Sequence, residues 1–215
     1  MNFIKGFFML FLVLLLPAAV FAVDAPAITG VFKEVPGVMF KYDGKTVEVM
    51  EFLSFYCDHC YAFEKAASVI KGNFPKKIKW RIMPVYWGSG SSKPGEAYML
   101  AEEAGKGEQM KKALFNANFI EKKDIGNLAV LESIGMNLGL GFDFSRRLRS
   151  GEKTAEAQRV LQMARAYGVE GTPTFIIAGN LFTSPEPFGD NTDALRDNII
   201  TIIKSIIGGK GAKAQ

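Results

Sequence analysis

The feature that most limits what this chain can fold into is a change of hydrophobic period around residue 57. Val47-Glu48-Val49-Met50-Glu51-Phe52-Leu53-Ser54-Phe55 is a β-branched and aromatic run of strand length, apolar enough for a buried central strand. Directly after it, Phe63, Ala66, Ala67 and Ile70 recur at i, i+3, i+4, i+7 and mark one apolar face of a helix. The joint between them contains both cysteines and the only histidine of the 215 residues, as Cys57-Asp58-His59-Cys60. The C-x-x-C pair is therefore expected where a helix begins.

A helix N-terminus offers unpaired backbone N–H groups and the positive end of the macrodipole, so a thiolate is stabilised there. Cys57, the more N-terminal sulfur, should have its pKa lowered into the range of reactive C-x-x-C thiols. Of the two residues between the sulfurs, a protonated His59 would favour the thiolate and an ionised Asp58 would oppose it. Two other uses of the pair compete. A structural staple across so short a loop is worth only about 2 kcal/mol by chain entropy, and a chain of this length can build its own core. A zinc or copper site lacks partners, since no further cysteine exists and closed zinc sites take four ligands. Redox exchange by a vicinal dithiol, with no cofactor beyond the Cys57–Cys60 disulfide, is the reading that remains.

Ahead of the central strand, 31–42 has strand-like content broken at Pro36-Gly37, and Asp43-Gly44 is a turn signal that would pair this segment as a hairpin with the strand from Thr46. Period two places Val49, Glu51, Leu53 and Phe55 on one face, which buries the Glu51 carboxylate among apolar neighbours. A buried acid there has a raised pKa and could relay a proton to Cys60; alternatively it pairs with a core-facing base such as Arg81. Tyr56 and Tyr61 flank the motif, either as a rim for peptide substrates or as packing residues. After the first helix, 78–87 reads as a strand with Pro84 at an irregular or edge portion.

Residues 88–95 form a Gly/Ser/Pro break, and the period then turns helical for about seventy residues. One stripe is Ala97, Leu100, Ala101 and Ala104, another Met110, Ala113, Leu114 and Ala117, a third Leu128, Leu131, Ile134 and Leu138. They look like a helical insertion at 89–152 into an α/β domain formed by 23–88 and 153–208. Lys153 to Tyr167 is a further helix with Gly168 as its cap. In Gly171-Thr172-Pro173 the proline stands at the entry of a strand, Phe175 to Ala178, where a cis peptide is compatible. Gly179-Asn180 then reads as a two-residue hairpin turn into Leu181-Phe182-Thr183. Asn191 or Thr192 caps a last helix with Leu195, Ile199, Ile202, Ile203 and Ile206 inward.

The start of the chain is of another kind. Gly6 to Leu16 is almost wholly apolar behind one positive charge at Lys5, and Pro17 to Ala22 offers small residues where a signal peptidase reads, so 1–22 is expected to be a cleaved secretory signal peptide. An uncleaved anchor is disfavoured by the short apolar run and Pro17. Removing 1–22 takes away only Lys5, leaving 25 bases against 22 acids, a net of +3. No aromatic-basic interleaving points to nucleic acid, and 209–215 reads as a flexible tail. Export places the pair where disulfides persist.

Glu51 to Glu64 with the C-x-x-C at its centre, the helical insertion, and Gly171-Thr172-Pro173 before an apolar strand together resemble the DsbA family of secreted thiol:disulfide oxidoreductases. The resemblance implies a thioredoxin-like α/β fold with an inserted helical domain. It further implies Cys57 as the nucleophile, Cys60 as the resolving partner, His59 as stabiliser of the Cys57 thiolate, Glu51 as the buried acid, and Thr172-Pro173 as the loop that binds substrate backbone. Implied partners are reduced secreted proteins and a membrane oxidase of the DsbB type, for a monomer working in the periplasm. This chain departs from the best-known members in carrying Asp58 where they have proline and Thr172 where they often have valine. Both departures point away from a strong general oxidant, so a thiol reductase or isomerase with few clients is the nearer alternative. A non-catalytic peptide-binding chaperone or metal carrier is the more distant one.

Overall fold

The computed structural model describes residues 27–88, 90–189 and 191–209; the expected signal peptide at 1–22 lies outside them, as does the tail from 210. The centre of the molecule is a five-stranded sheet in the order β1-β5-β4-β2-β3, formed by Lys33–Glu34, Val47–Leu53, Ile78–Pro84, Thr174–Ile177 and Leu181–Thr183 numbered β1 to β5 along the chain. Only β2 and β3 run parallel, and the crossover between them is α1, Asp58–Asn73. The remaining pairs, β2 with β4, β4 with β5 and β5 with β1, are antiparallel.

The sheet separates two apolar layers. Val47 and Val49 of β2 point to α1 and to α7, Thr192–Gly208, which brings Leu195, Ile199, Ile202, Ile203 and Ile206. Met50 and Phe52, one residue out of phase, face the layer built from α2 (Lys93–Glu103), α3 (Gly107–Phe115), α4 (Leu128–Asn137), α5 (Gly141–Ser150) and α6 (Thr154–Ala166). This alternation along one strand is why both faces read as apolar. Gly135 in α4 allows a close approach to α5, since a Cβ there would sit 2.3 Å from the Phe144 ring. Asn191 caps α7 by accepting the Ala194 N–H at 3.0 Å, and β3 is the sheet edge that ends at Pro84.

Four expectations are corrected. The segment before Asp43 does not form a hairpin with β2. Its strand, β1, pairs with β5, and its later part runs along the β4–β5 turn through Val35 N–H to Asn180 O at 2.9 Å and Lys41 N–H to Ala178 O at 2.7 Å. The Asp43 side chain instead accepts from the Lys45 and Thr46 N–H groups, so the turn signal marks a local turn and not a hairpin. The β4–β5 loop has three residues, with Ile177 opposite Leu181, because Ala178 at φ 48° and Gly179 at φ 87° both turn left-handed. Leu53 and Phe55 pack in the layer opposite Val49, since β2 ends at Leu53 and the chain turns before Cys57. The α3 stripe is wider than expected: Met110, Leu114 and Ala117 are buried as the period implies, but Lys111 and Phe115 join them where Ala113 is only partly covered, and a π-helical turn, Asn116–Ile120, replaces the last helical turn.

Candidate active site

Cys57 is the N-cap of α1, with extended backbone at φ −97° and ψ 119°, and its sulfur accepts from the Cys60 N–H at 3.4 Å. Both cysteines are free. The Cys57 thiol is half-buried and lies 3.1 Å from the Thr172 carbonyl, across 115 residues of sequence. The Thr172–Pro173 bond that places this carbonyl is cis. Cys57, Cys60, Thr172 and Pro173, singled out from separate parts of the sequence, therefore meet at one spot.

The two sulfurs are in unlike environments. The Cys57 pKa is lowered to about 6, first by a hydrogen bond from the Cys60 thiol, against the opposing effect of burial, and then by the Thr172 side chain and the main-chain N–H groups of Cys60 and His59. Cys60 is pushed well above its ordinary value, first by burial and then by the neighbouring Cys57. Cys57 is thus a thiolate at neutral pH and Cys60 a thiol. The His59 imidazole is not what holds the thiolate. Its side chain is 55% exposed and its Nε2 lies 3.9 Å from Asp58, so its contribution comes through the backbone. The Asp58 carboxylate, 80% exposed and accepting the His59 N–H at 2.8 Å, is screened by water, so the opposition expected from it is outweighed.

Glu51 is completely buried, and burial raises its pKa to about 7 against the pull of Lys111. Trp80 donates its Nε1–H to Glu51 Oε2 at 2.8 Å, while Oε1 has no hydrogen-bond partner among the described residues. The base suggested from the sequence, Arg81, is elsewhere: the parallel register sets Glu51 opposite Ile82, which turns Arg81 to the other face, where it pairs with Glu48 at 3.3 Å. The cation near Glu51 is Lys111 of α3, only 1% exposed, held by Glu64 at 2.9 Å and Glu108 at 3.5 Å. Lys71 completes the circuit, 2.8 Å from Glu108 and 5.7 Å over the Trp80 ring. Glu51 therefore connects through Trp80 and Lys71 to Glu108, which reaches solvent, and Glu108 together with Glu64 holds Lys111. Sequence reasoning missed Lys111, Glu64 and Trp80. The signal available was position: Lys111 precedes Leu114 and Phe115 at i+3 and i+4 and shares their inner face.

Tyr61 stacks on Phe119 at 5.1 Å and 7°, joining α1 to the π-helical turn, while 38% of its surface stays open. Asn118 of that turn donates to the Phe55 carbonyl at 3.1 Å, which fixes the chain just ahead of Cys57. Two concavities meet at the Cys57–Thr172 contact. A groove of about 610 Å³ runs past His59, Tyr167 and Thr172–Thr174 to Val35 and Phe182, and a cleft of about 450 Å³ lies against Tyr56, Cys57 and Trp87. Among the described residues, no group of three or more His, Cys, Asp and Glu side chains is placed to hold a metal ion.

Comparison with known proteins gives concordant results. The model of the DSBA-like thioredoxin domain matches residues 76–199, more than half of the chain. A thiol:disulfide interchange protein DsbA of Haemophilus influenzae is 28% identical over 165 residues, covering 74% of this chain and 78% of that protein. Its counterpart in Azotobacter vinelandii is 27% identical over 137 residues, covering 62% of this chain and 63% of that protein. Among solved structures, a Pseudomonas aeruginosa DsbA variant superimposes with a TM-score of 0.67 at 22% identity, covering 80% of this chain and 94% of that one. A Proteus mirabilis DsbA solved with a non-covalently bound peptide gives 0.66 at 16% identity, covering 85% and 98%.

Proposed function

We infer the mechanism from one premise: the chain belongs to the DSBA-like thioredoxin-domain family, and it is a thiol:disulfide oxidoreductase of the disulfide-forming kind. The observation that carries the mechanism is the asymmetry of the two sulfurs, Cys57 at about 6 and half-buried, Cys60 raised and buried. In the oxidised enzyme a substrate thiolate attacks Cys57 Sγ, the S–S bond to Cys60 breaks, and Cys60 leaves with the electron pair. Because its pKa is high, Cys60 takes up a proton on leaving. Glu51, facing the helix that carries Cys60 and titrating near neutrality, is assigned as the source of that proton. A second substrate thiolate then attacks the substrate sulfur of the mixed disulfide, and Cys57 departs as the thiolate it is stabilised to be. Two electrons pass from the substrate dithiol to the enzyme disulfide, which leaves as the dithiol.

The remaining roles follow from position. The backbone at Thr172–Pro173, beside the reacting sulfur, is assigned to bind substrate main chain, and the 610 Å³ groove to hold the peptide. His59 contributes its N–H to the Cys57 thiolate, and Asp58 tempers the oxidising power from an exposed position. The reaction needs no cofactor beyond the disulfide. We propose that residues 1–22 export the protein to the periplasm, where as a monomer it oxidises reduced secreted proteins and is itself reset by a membrane oxidase of the DsbB type. Asp58 and Thr172 keep reductive exchange as the competing direction.

Trapping tests the assignment. With a reduced unfolded protein and the oxidised enzyme, disulfides should form; Cys60→Ala, carried as a Cys57 mixed disulfide with glutathione, should transfer to substrate once and stall. Cys57→Ser should abolish exchange, and retained oxidation by that variant would refute the mechanism.

A further inference from the structure

The 450 Å³ cleft is the concavity that has Cys57 itself in its wall, and the 610 Å³ groove lies on the other side of the same Thr172 backbone. Glu170, Gly171 and Thr172 line both. A substrate chain that crosses Thr172 with its cysteine at Cys57 therefore meets the groove on one side of that cysteine and the cleft on the other. The cleft is built and not incidental. Ser54 Oγ accepts the Tyr56 N–H at 3.3 Å, and the Tyr56 hydroxyl is held at the Ser91 backbone. On the opposite wall Gly90 N–H donates to Trp87 O at 2.9 Å. A Cβ at Gly90 would stand 3.0 Å from that same Trp87 oxygen and in ordinary contact, 3.6 Å, with Tyr56 Cδ2, so Gly90 brings the Trp87 side of the cleft up to the tyrosine.

What the walls offer is specific in chemistry. Tyr56 and Trp87 are 36% and 38% exposed, so each presents aromatic surface, and ring faces attract cations. Among the described residues of the lining, Glu170 is the one ionisable side chain besides Cys57 and Tyr56, it is exposed, and no lysine or arginine accompanies it. The adjoining rim has the same sign: Glu34 and Glu186 in the groove and Asp58 beside Cys57, against Lys33. In a chain of net charge +4, the surface around the nucleophile is locally acidic.

We propose that the Tyr56–Trp87–Glu170 cleft is a specificity subsite that takes a lysine or arginine next to the reacting cysteine of the substrate. The aliphatic stem lies along the aromatic walls and the cationic head meets the Glu170 carboxylate. The inference rests on the oxidoreductase reading for its setting, and concerns which substrates that reaction prefers. One exposed cation–π contact and one exposed ion pair together correspond to a preference of about tenfold.

Three dithiol peptides, identical except for Arg, Leu or Glu beside the first cysteine, separate the possibilities when oxidised by the wild-type enzyme and by Glu170→Gln and Trp87→Leu. The expected kcat/KM order is Arg, Leu, Glu, with Arg above Glu by about tenfold, carried mainly in KM and shrinking with added salt. Glu170→Gln should cut the Arg-to-Glu ratio to threefold or less, and Trp87→Leu should lower the Arg-to-Leu ratio. The same ranking should appear as affinities of Cys57→Ser for serine-substituted peptides, which needs no chemistry. Arg and Glu peptides within twofold of each other in both measurements, or a ratio unmoved by both variants, would overturn the subsite. Failure to oxidise any of the three peptides would instead count against the oxidoreductase reading, while the affinities still decide the subsite.

Discussion

Replacing Glu51 by glutamine isolates the buried acid with little change of shape. Glu51 is completely buried and titrates at about 7, against an ordinary value of 4.5. An acid whose pKa is raised on folding contributes most below its unfolded value, and that contribution is lost as pH climbs through the folded value. The unfolded chain ionises from about pH 4.5 upward, whereas the folded one resists until about 7, so wild-type stability falls across this window and levels off above it. Between pH 5 and pH 8.5 the loss integrates to about 2 to 3 kcal/mol for this one group. Glutamine cannot ionise, so Glu51→Gln lacks this slope. The amide keeps an oxygen for the Trp80 N–H and carries a cost for its new buried NH2 group, but that cost is independent of pH. Urea unfolding at pH 5 and pH 8.5 is the assay, performed on the oxidised form so that neither cysteine titrates. The stability of Glu51→Gln relative to wild type should improve by about 2 to 3 kcal/mol between the two pH values, or roughly 5 to 10 °C in Tm. Parallel pH dependence of the two proteins would refute the raised pKa and with it the proton role.

Other expectations follow from the same geometry. Alkylation of the reduced protein should occur at Cys57 alone with a midpoint near pH 6, and a midpoint above 8 would contradict the cap arrangement. Thr172→Val removes one of the groups that favour the thiolate, so the Cys57 midpoint should rise by under one unit, about 1 kcal/mol; an unchanged midpoint would assign no role to that hydroxyl. Lys111→Met strips the cation from Glu64 and Glu108 and should destabilise the fold by about 3 kcal/mol while raising the Glu51 pKa further, seen by the same urea series; a neutral substitution would refute the buried circuit. Phe119→Ala removes the stack on Tyr61 and should cost about 3 kcal/mol by thermal unfolding, with a loss under 1 kcal/mol counting against that anchor.

The parts of this architecture legible in the sequence are those set by local pattern. The change from period two to 3.6 at Cys57, the α7 stripe with its Asn191 cap, and the edge position of Pro84 each depend on a few neighbouring residues. Burial of Glu51 was legible for the same reason, but its partner was not. Which side of β3 faces Glu51 depends on a parallel register across a whole helix, and that register selects Trp80 and excludes Arg81. Lys111 was hidden by its own chemistry: a charged residue on a helix reads as solvated unless something buried answers it, and here the answer comes from Glu64, 47 positions earlier and on another element. The pairing of β1 with β5 was likewise non-local, whereas Asp43-Gly44 offered a strong local signal for the wrong partner. His59 stood beside both sulfurs in sequence, yet what it gives the Cys57 thiolate is its main-chain N–H, while its half-exposed ring lies in the wall of the groove.

The central claim, that the Cys57–Cys60 disulfide is donated outward, rests on a stabilised thiolate, and its equilibrium with glutathione measures that stabilisation directly. Thioredoxin, with a nucleophile near pKa 7, stands at about −270 mV, and each further unit of thiolate stabilisation adds about 30 mV for a two-electron couple. With Cys57 at about 6, the potential should be about −240 mV or more oxidising, followed by Trp fluorescence or thiol trapping at pH 7. A value at or below about −270 mV would contradict the claim and make the protein a reductant.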